Sequence, residues 1–145
     1  VKVFGGYAVT ENISVGASFN WQSGRPRNAF GYHPTDLFAQ EYGSESFYQN
    51  GTIVPRGSLD NQPSYWALDL NAKYNTEING AAVTFGLDIF NLFNNDRVRQ
   101  TYEIADSEDS GEFEGVGTHP ADPYYGLADN HQTPRYVRLS ASMRF

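Results

Sequence analysis

The sequence predicts an all-β protein whose antiparallel, up-and-down strands form part of the wall of a transmembrane β-barrel. Three observations lead to this prediction. Apolar and polar residues alternate with a period of two, which is the pattern of a strand with one apolar face and one polar face. The alternating runs are each about ten residues long. The connections between them alternate between short and long, as they do in outer-membrane barrels.

Five strands are predicted in this way. They lie at about Val3–Val9, Ile13–Gln22, Tyr65–Tyr74, Val83–Ile89 and Arg135–Phe145. Ten residues at roughly 3.3 Å each, tilted by about 40°, span roughly 25 Å, which matches the apolar band of an outer-membrane barrel. The predicted strands therefore have the length that a membrane-spanning wall requires.

The connections predict the direction of the strands. Residues 10–12 and 75–80 form short connections, whereas residues 24–64 and 94–134 form long ones. Short turns face the periplasm and long loops face outward, so both long segments are expected to be extracellular. Five strands are an odd number and leave two unpaired edges, which a membrane does not tolerate. We therefore expect residues 1–145 to be the carboxy-terminal part of a larger barrel.

The two faces of the strands differ in chemistry. On the apolar face, Trp21 and Trp66 are expected at the outer membrane interface, and Tyr74 and Phe145 at the inner one, because aromatic rings prefer the headgroup level. The polar face is expected to line the lumen, with the side chains of Asn20, Gln22, Asp69, Asn71, Lys73, Asp88, Arg138 and Arg144. Asp88 and Arg138 are predicted to lie roughly diagonally on adjacent strands and either to form an ion pair in the lumen or to contact whatever fills it.

The long loops contain the candidate ligand-facing residues. Asn50-Gly51 lies between two β-prone tetrads in residues 46–55, which predicts a small hairpin. This hairpin either orders a long loop or contributes to a ligand vestibule. Arg25 and Arg27 either contact lipid phosphates or bind an anionic ligand. The candidate residues of both loops are Arg25, Arg27, Phe47, Tyr48, Arg56, Arg97 and Arg99.

Composition excludes several classes of function. The chain has no cysteine, and no apolar run reaches the roughly 18 residues of a membrane helix. Its net charge is −7, and residues 94–134 hold nine carboxylates against two arginines, which argues against a nucleic-acid partner. A solvated acidic loop is the simplest interpretation of that segment.

Motifs for catalysis and metal binding are also missing from the sequence. His33, His119 and His131 lack the spacing of metal ligands. Residues 106–111 are rich in carboxylates but do not follow the calcium-loop pattern. We see no nucleophile motif and no phosphate loop, so neither an enzyme nor a cofactor is expected.

Four segments of the chain resemble TonB-dependent outer-membrane receptors, and most closely their Oar-like branch. These segments are Ser23–Pro26, Ser46–Ser58, Phe85–Asn94 and Pro134–Phe145. The resemblance implies a barrel of about 22 strands in the outer membrane of a Gram-negative bacterium, filled by a plug and opened by the TonB complex. It also implies import of a scarce extracellular ligand such as a siderophore, cobalamin, a glycan or a peptide. The plug and the TonB box of such receptors are not among these residues.

The same resemblance implies a role for Phe145. Other functions of the chain remain open alternatives. Phe145 matches the carboxy-terminal signal that the barrel assembly machinery reads. A passive porin or an adhesin barrel in contact with outer-membrane lipid remains an alternative. A secreted all-β carbohydrate-binding module is another, and it would bury Trp21, Trp66, Leu139 and Phe145 in a closed interior. A glycoside hydrolase would need two carboxylates at a fixed separation on rigid elements, which this pattern does not provide.

Overall fold

The computed structural model describes residues 1–107 and 119–145 of an all-β protein. Its strands are β1 (Lys2–Ala8), β2 (Ile13–Gln22), β3 (Tyr48–Gln49), β4 (Thr52–Ile53), β5 (Tyr65–Ile78), β6 (Ala81–Phe90), β7 (Val98–Thr101), β8 (Ala128–His131) and β9 (Tyr136–Arg144). Every pair of neighbouring strands is antiparallel. One helix, α1 (Leu37–Glu41), and a 3₁₀ turn at Gly43–Glu45 complete the described elements.

The chain divides into two compact units. The sheet unit comprises Val1–Gln22, Ser64–Arg97 and Gln132–Phe145, and the loop unit comprises Ser23–Pro63 and Val98–His131. The sheet unit is one five-stranded sheet in the order β1-β2-β5-β6-β9, so neighbours along the chain are also neighbours in space. The five predicted strands and their up-and-down order are therefore confirmed. No closed barrel is present among the described residues.

The register places most of the apolar residues of the five strands on one face, because paired residues point to the same side of a sheet. These residues are Val3, Tyr7, Ile13, Val15, Ala17, Phe19, Trp21, Trp66, Leu68, Leu70, Ala72, Tyr74, Ile78, Ala81, Val83, Phe85, Leu87, Ile89, Val137, Leu139, Ala141 and Met143. The polar residues of the same strands share the opposite face. The alternation in the sequence thus extends, in register, across the whole sheet.

The turn between β5 and β6 is shorter than predicted. The prediction placed a connection at residues 75–80, but β5 continues to Ile78 and only Asn79 and Gly80 form the turn. Their φ angles are 51° and 79°, the left-handed values that a two-residue hairpin turn requires and that Asn-Gly supplies at low cost. Thr76 and Ile78 pair with Val83 and Ala81, which extends the ladder.

The loop unit has more secondary structure than the sequence predicts. The Asn50-Gly51 hairpin is confirmed, as β3 pairs with β4 around these two residues. Residues 24–64 also contain α1, and residues 94–134 contain the paired strands β7 and β8, none of which is predicted from the sequence. Side chains of Ala29, Tyr32, Ala39 and Ala105 are buried in this unit. Along the described ranges, no helix has the length and apolarity needed to cross a membrane.

Candidate functional site

The apolar face of the sheet unit is largely exposed to solvent. Leu139 retains 78% of its accessible surface, Val3 60% and Val137 57%. Only Ala81 and Val83 of this face are buried. Large apolar side chains in such numbers are not left exposed in a soluble protein unless the surface meets a membrane or a partner. Within the part of the chain that the structure describes, no closed interior surrounds these strands.

Aromatic residues gather where β2 ends and β5 begins. Trp21 and Trp66 are direct register partners, so they lie at the same height on the apolar face. The Trp66 ring also packs on Phe19 and Phe93, with centroids 5.9 and 5.6 Å away. The backbone at this point is held by Gln132, whose Nε2 donates to the Trp66 carbonyl at 2.8 Å. At the other end of the sheet, the Tyr74 side chain is 44% exposed and Phe145 is fully exposed.

The polar face holds a cross-strand ion pair. Arg138 donates from Nε to Oδ2 of Asp88 at 3.1 Å. The two residues are direct register partners, so the predicted diagonal placement is wrong, although the predicted ion pair is present. The Arg138 guanidinium also lies over Phe90, 5.2 Å from its centroid, and Phe90 stacks on Tyr136 at 4.5 Å. A charged group and two rings therefore form one cluster at the β6–β9 pair.

A glycine lets a longer polar side chain lie along the same face. A Cβ at Gly16 would come within 2.8 Å of Nδ2 of Asn71, its register partner on β5. The amide of Asn71 thus rests directly over the backbone of β2. The remaining residues predicted for this face are Asn20, Gln22, Asp69, Lys73 and Arg144, and the register places all of them on it.

The Asn91-Leu92-Phe93-Asn94 segment ties the end of β6 to the start of β9. Asn91 and Asn94 have φ angles of 50° and 53°, which asparagine tolerates better than most residues. Buried Asn91 donates from Nδ2 to the carbonyls of Asn95 and Thr133, both at 2.8 Å. Asn94 Oδ1 accepts from the Arg135 amide at 2.9 Å. In the sequence this motif indicates only a resemblance, and the hydrogen bonds by which it bridges β6 and β9 become visible in the structure.

Two arginines of the loop unit are held by carboxylates of the same unit. Arg25 Nη2 lies 3.0 Å from Glu103 Oε2, and Arg27 Nη2 lies 3.7 Å from Asp60 Oδ2. Glu103 also accepts from the Asn28 amide at 3.0 Å. Both guanidinium groups thus have a counterion within the loop unit, and their contact with lipid phosphates or an anionic ligand stays a prediction.

The other candidate residues lie in several environments. Phe47 packs on Phe30 at 5.1 Å. Arg56 lies in the turn Pro55–Ser58, where the Ser58 amide donates to the Pro55 carbonyl. Arg99 lies within β7, whereas Arg97 belongs to the sheet unit, where its carbonyl accepts from the Gln132 amide. Phe47 and Arg97 thus have neighbours within their own units.

Among the described residues of the loop unit, Asp106 is the most buried charged side chain. It is 1% exposed, and its carboxylate accepts from the Tyr32 amide at 3.1 Å and from the Asn50 amide at 3.0 Å. A Cβ at Gly31 would collide with this carboxylate, so glycine is needed there. The side chain joins a segment before residue 63 to one after residue 98. Glu108–Gly111, the remainder of the predicted acidic segment, lies outside the described residues.

Asp36 connects α1 to the small hairpin. Its Oδ1 accepts from the Phe38 and Ala39 amides, which caps the helix, and its Oδ2 accepts from the Tyr48 hydroxyl at 2.9 Å. The Tyr48 hydrogen bond is the main cause that lowers the pKa of Asp36, and the same bond raises the pKa of Tyr48. Tyr48 thus has an internal structural partner in this unit.

The histidines make local contacts. His33 Nδ1 accepts from the Asp36 amide at 3.2 Å, and the His119 ring stacks on Tyr32 at 3.7 Å. His131 is the last residue of β8. Within residues 1–107 and 119–145, no three His, Cys, Asp or Glu side chains are arranged to hold a metal ion.

Comparison with known proteins identifies one relative. The chain is 30% identical over 176 aligned residues to the TonB-dependent transporter Oar of Myxococcus xanthus. The alignment covers all of this chain but only 16% of that transporter. The chain is a distant relative of a TonB-dependent transporter. No protein-family profile matches it, and no solved structure matches it.

Proposed function

We propose that these residues form part of the wall and two extracellular loops of an outer-membrane receptor that takes up a scarce ligand with energy supplied through TonB. One observation carries the proposal: five strands in register present an exposed apolar face on one side and a polar face on the other. A wall between hydrocarbon and an aqueous lumen requires this division. The distant relation to a TonB-dependent transporter supports the same function.

The proposed roles follow the two units. The apolar face contacts outer-membrane lipid, with Trp21 and Trp66 at one interface. The polar face, including Asp88 and Arg138, lines the lumen. The loop unit contacts the extracellular ligand, and catalysis is not part of the function. Hydrogen-bonded segments such as the Asp106 contacts hold the loops in a defined shape, which lowers the entropy lost when a ligand binds.

Membrane fractionation tests the location. The protein is expected in the outer-membrane fraction, resistant to extraction by urea and carbonate, and its loops are expected to be cleaved by protease added to whole cells. Recovery in the soluble fraction would favour the secreted carbohydrate-binding module and would contradict the proposal.

Dependence on TonB tests the energy source. Uptake of the ligand is expected to stop in cells without TonB, while binding at the cell surface continues. A ligand flux that is the same with and without TonB would favour a passive porin. These two results separate the receptor from the other barrel functions.

The role proposed for Phe145 gives a further prediction. Deletion of Phe145 is expected to lower the amount of protein inserted in the outer membrane, because the barrel assembly machinery recognises a terminal aromatic residue on the last strand. Immunoblots of outer-membrane fractions measure this amount. Phe145→Tyr keeps an aromatic ring at this position and is the control. Surface levels of the Phe145 deletion equal to those of the original protein would refute the role.

A further inference from the structure

The helix α1 exposes its large apolar side chains and buries its smallest one. Ala39 is completely buried, whereas Leu37 is 80% exposed, Phe38 57% and Tyr42, the residue that ends the helix, 45%. A surface helix normally turns its large apolar side chains toward the core of the protein. The outward apolar surface of Leu37, Phe38 and Tyr42 is here called the α1 patch.

Carboxylates border the α1 patch. Phe38 and Tyr42 are four residues apart and pack together with centroids at 5.1 Å. Glu41 and Glu45 are exposed and are also four residues apart. The Glu41 carboxylate, burial and the negative charge of Glu45 all raise the pKa of the Tyr42 hydroxyl, which is consistent with both carboxylates lying near this ring. A pair of rings beside two carboxylates is the surface that a guanidinium group recognises.

The loop unit as a whole is negatively charged, like the carboxylates beside the α1 patch. Its two segments hold twelve carboxylates against four arginines in the sequence. Two of those arginines, Arg25 and Arg27, have counterions within the unit. By contrast, the sheet unit holds five carboxylates against six basic residues. The excess negative charge therefore belongs to the loop unit and would steer a cation toward it.

We infer that the α1 patch binds an arginine-containing basic peptide segment. The guanidinium stacks on the Phe38 and Tyr42 rings, its N–H groups donate to the carboxylates of Glu41 and Glu45, and the apolar stem of the arginine covers Leu37. A peptide explains the exposed apolar area better than a small cation, because an arginine side chain offers both a charge and a methylene stem. The inference rests on the proposed function in one respect: it takes the loop unit to be accessible from outside the cell.

Binding of a fluorescein-labelled hexa-arginine peptide to the purified protein in detergent tests the inference. Fluorescence anisotropy at low ionic strength gives the dissociation constant. The double substitution Phe38→Ala and Tyr42→Ala is expected to weaken binding about fivefold or more, and Glu41→Gln with Glu45→Gln to weaken it to a similar extent. Tyr42→Phe keeps the ring and is expected to bind within about twofold of the original protein.

Matched controls separate this site from general charge attraction. Tyr124→Ala removes another exposed aromatic residue of the loop unit, and Glu11→Gln with Glu77→Gln removes two exposed carboxylates of the sheet unit. Both are expected to leave the dissociation constant within about twofold. Equal losses in the site and control variants would overturn the inference, as would unchanged binding in the aromatic double variant.

Two further measurements test whether an arginine peptide, another cation or a second copy of the chain occupies the α1 patch. Hexa-lysine is expected to bind more weakly than hexa-arginine, because an ammonium group lacks the planar face that stacks on rings. If the aromatic double variant instead abolished a dimer seen by analytical ultracentrifugation, while hexa-arginine binding stayed unchanged, a second copy would be the occupant and the inference would be wrong. These assays use purified protein, so their failure is distinguishable from failure of the transport tests.

Discussion

At the scale of single residues, the described loop unit is held together by side chains that satisfy backbone groups far away in the sequence. Asp106 accepts from the amides of Tyr32 and Asn50, residues 74 and 56 positions earlier. The Asp106 carboxylate therefore supplies acceptors for backbone amides of the loops, as a neighbouring strand does for the amides of a sheet. Its removal leaves buried donors without acceptors, and each such loss costs about 1–3 kcal/mol.

Substitution of Asp106 is therefore expected to loosen the loop unit locally. In Asp106→Ala, amide hydrogen exchange at Tyr32 and Asn50 should become at least about tenfold faster, because the protecting acceptor is lost. Asp106→Asn keeps one acceptor oxygen and should have a smaller effect. Asp122→Ala removes an exposed carboxylate that accepts from the Tyr124 amide and serves as the control. Unchanged exchange at Tyr32 in the alanine variant would contradict this role.

The Asp36–Tyr48 hydrogen bond predicts a pH dependence of α1. The pKa of Asp36 lies below its ordinary value of 3.8, chiefly because the Tyr48 hydroxyl donates to the carboxylate. A lowered pKa means that the stabilisation is fully present above pH 3.8 and is lost as the pH falls through the lower folded-state value. The helix cap should therefore persist at neutral pH and disappear only in strong acid.

Tyr48→Phe tests this coupling. The pKa of Asp36, followed by carboxyl ¹³C NMR of the protein in detergent, is expected to rise toward 3.8 when the hydroxyl is absent. Tyr124→Phe, which alters a ring packed on Tyr102, should leave it unchanged. The idea fails if both variants give the same Asp36 titration as the original protein.

At the scale of elements, the long strands and the Asn50-Gly51 hairpin could be predicted from the sequence, whereas α1 and the β7–β8 pair could not. The period of two persists through β2, β5 and β6, so even a one-residue error in register would have exposed the wrong face. By contrast, α1 has five residues and β7 has four, too few for a period to emerge. The β7–β8 ladder also contains register shifts, which further weaken the alternation.

Side-chain partners were harder to predict than strands. The Arg25–Glu103 contact joins residues 78 positions apart, and no local pattern indicates it. The sequence therefore does not reveal which carboxylates pair with Arg25 and Arg27. The Asp88–Arg138 ion pair could be predicted because both residues lie on strands whose pairing the sequence already indicates. The two residues are direct register partners, whereas the sequence analysis placed them diagonally.

The Asn79-Gly80 turn gives a prediction at the scale of one hairpin. Gly80 has a φ of 79°, so Gly80→Ala is expected to destabilise the β5–β6 hairpin by about 1 kcal/mol. Urea unfolding of the protein in detergent measures the change. Gly5→Ala is a matched control, because a Cβ at Gly5 meets nothing within 4 Å and its φ is not positive. A similar loss of stability in both variants would show that the turn geometry is not responsible.

At the scale of the whole molecule, the two units divide the chemistry of the chain. The sheet unit is nearly neutral and separates apolar from polar side chains, whereas the loop unit holds most of the carboxylates. Neither property depends on a single residue. Both follow from alternation along the strands and from the placement of acidic residues in the connections. A receptor wall needs the first property, and capture of a basic peptide needs the second.

Neighbouring residues of β9 provide the sharpest test of the membrane orientation. Leu139 lies on the apolar face and is paired with Leu87, whereas Ser140 lies on the polar face and is paired with Gly86. An arginine at the bilayer midplane on the lipid face costs about 2–4 kcal/mol, whereas one in the lumen remains hydrated. Leu139→Arg is therefore expected to impair insertion, and Ser140→Arg to be tolerated, as Arg138 and Arg144 already lie on that face.

Folding into lipid vesicles, followed by the mobility of unheated samples on gels, measures both variants under one condition. Leu139→Met keeps an apolar side chain of similar volume and should insert like the original protein. Loss of insertion in Leu139→Arg alone would mean that this face meets hydrocarbon. If Ser140→Arg failed while Leu139→Arg inserted, the two faces would be reversed. If both arginine variants behaved alike, β9 would have no lipid-facing side, and the barrel wall proposed here would be wrong.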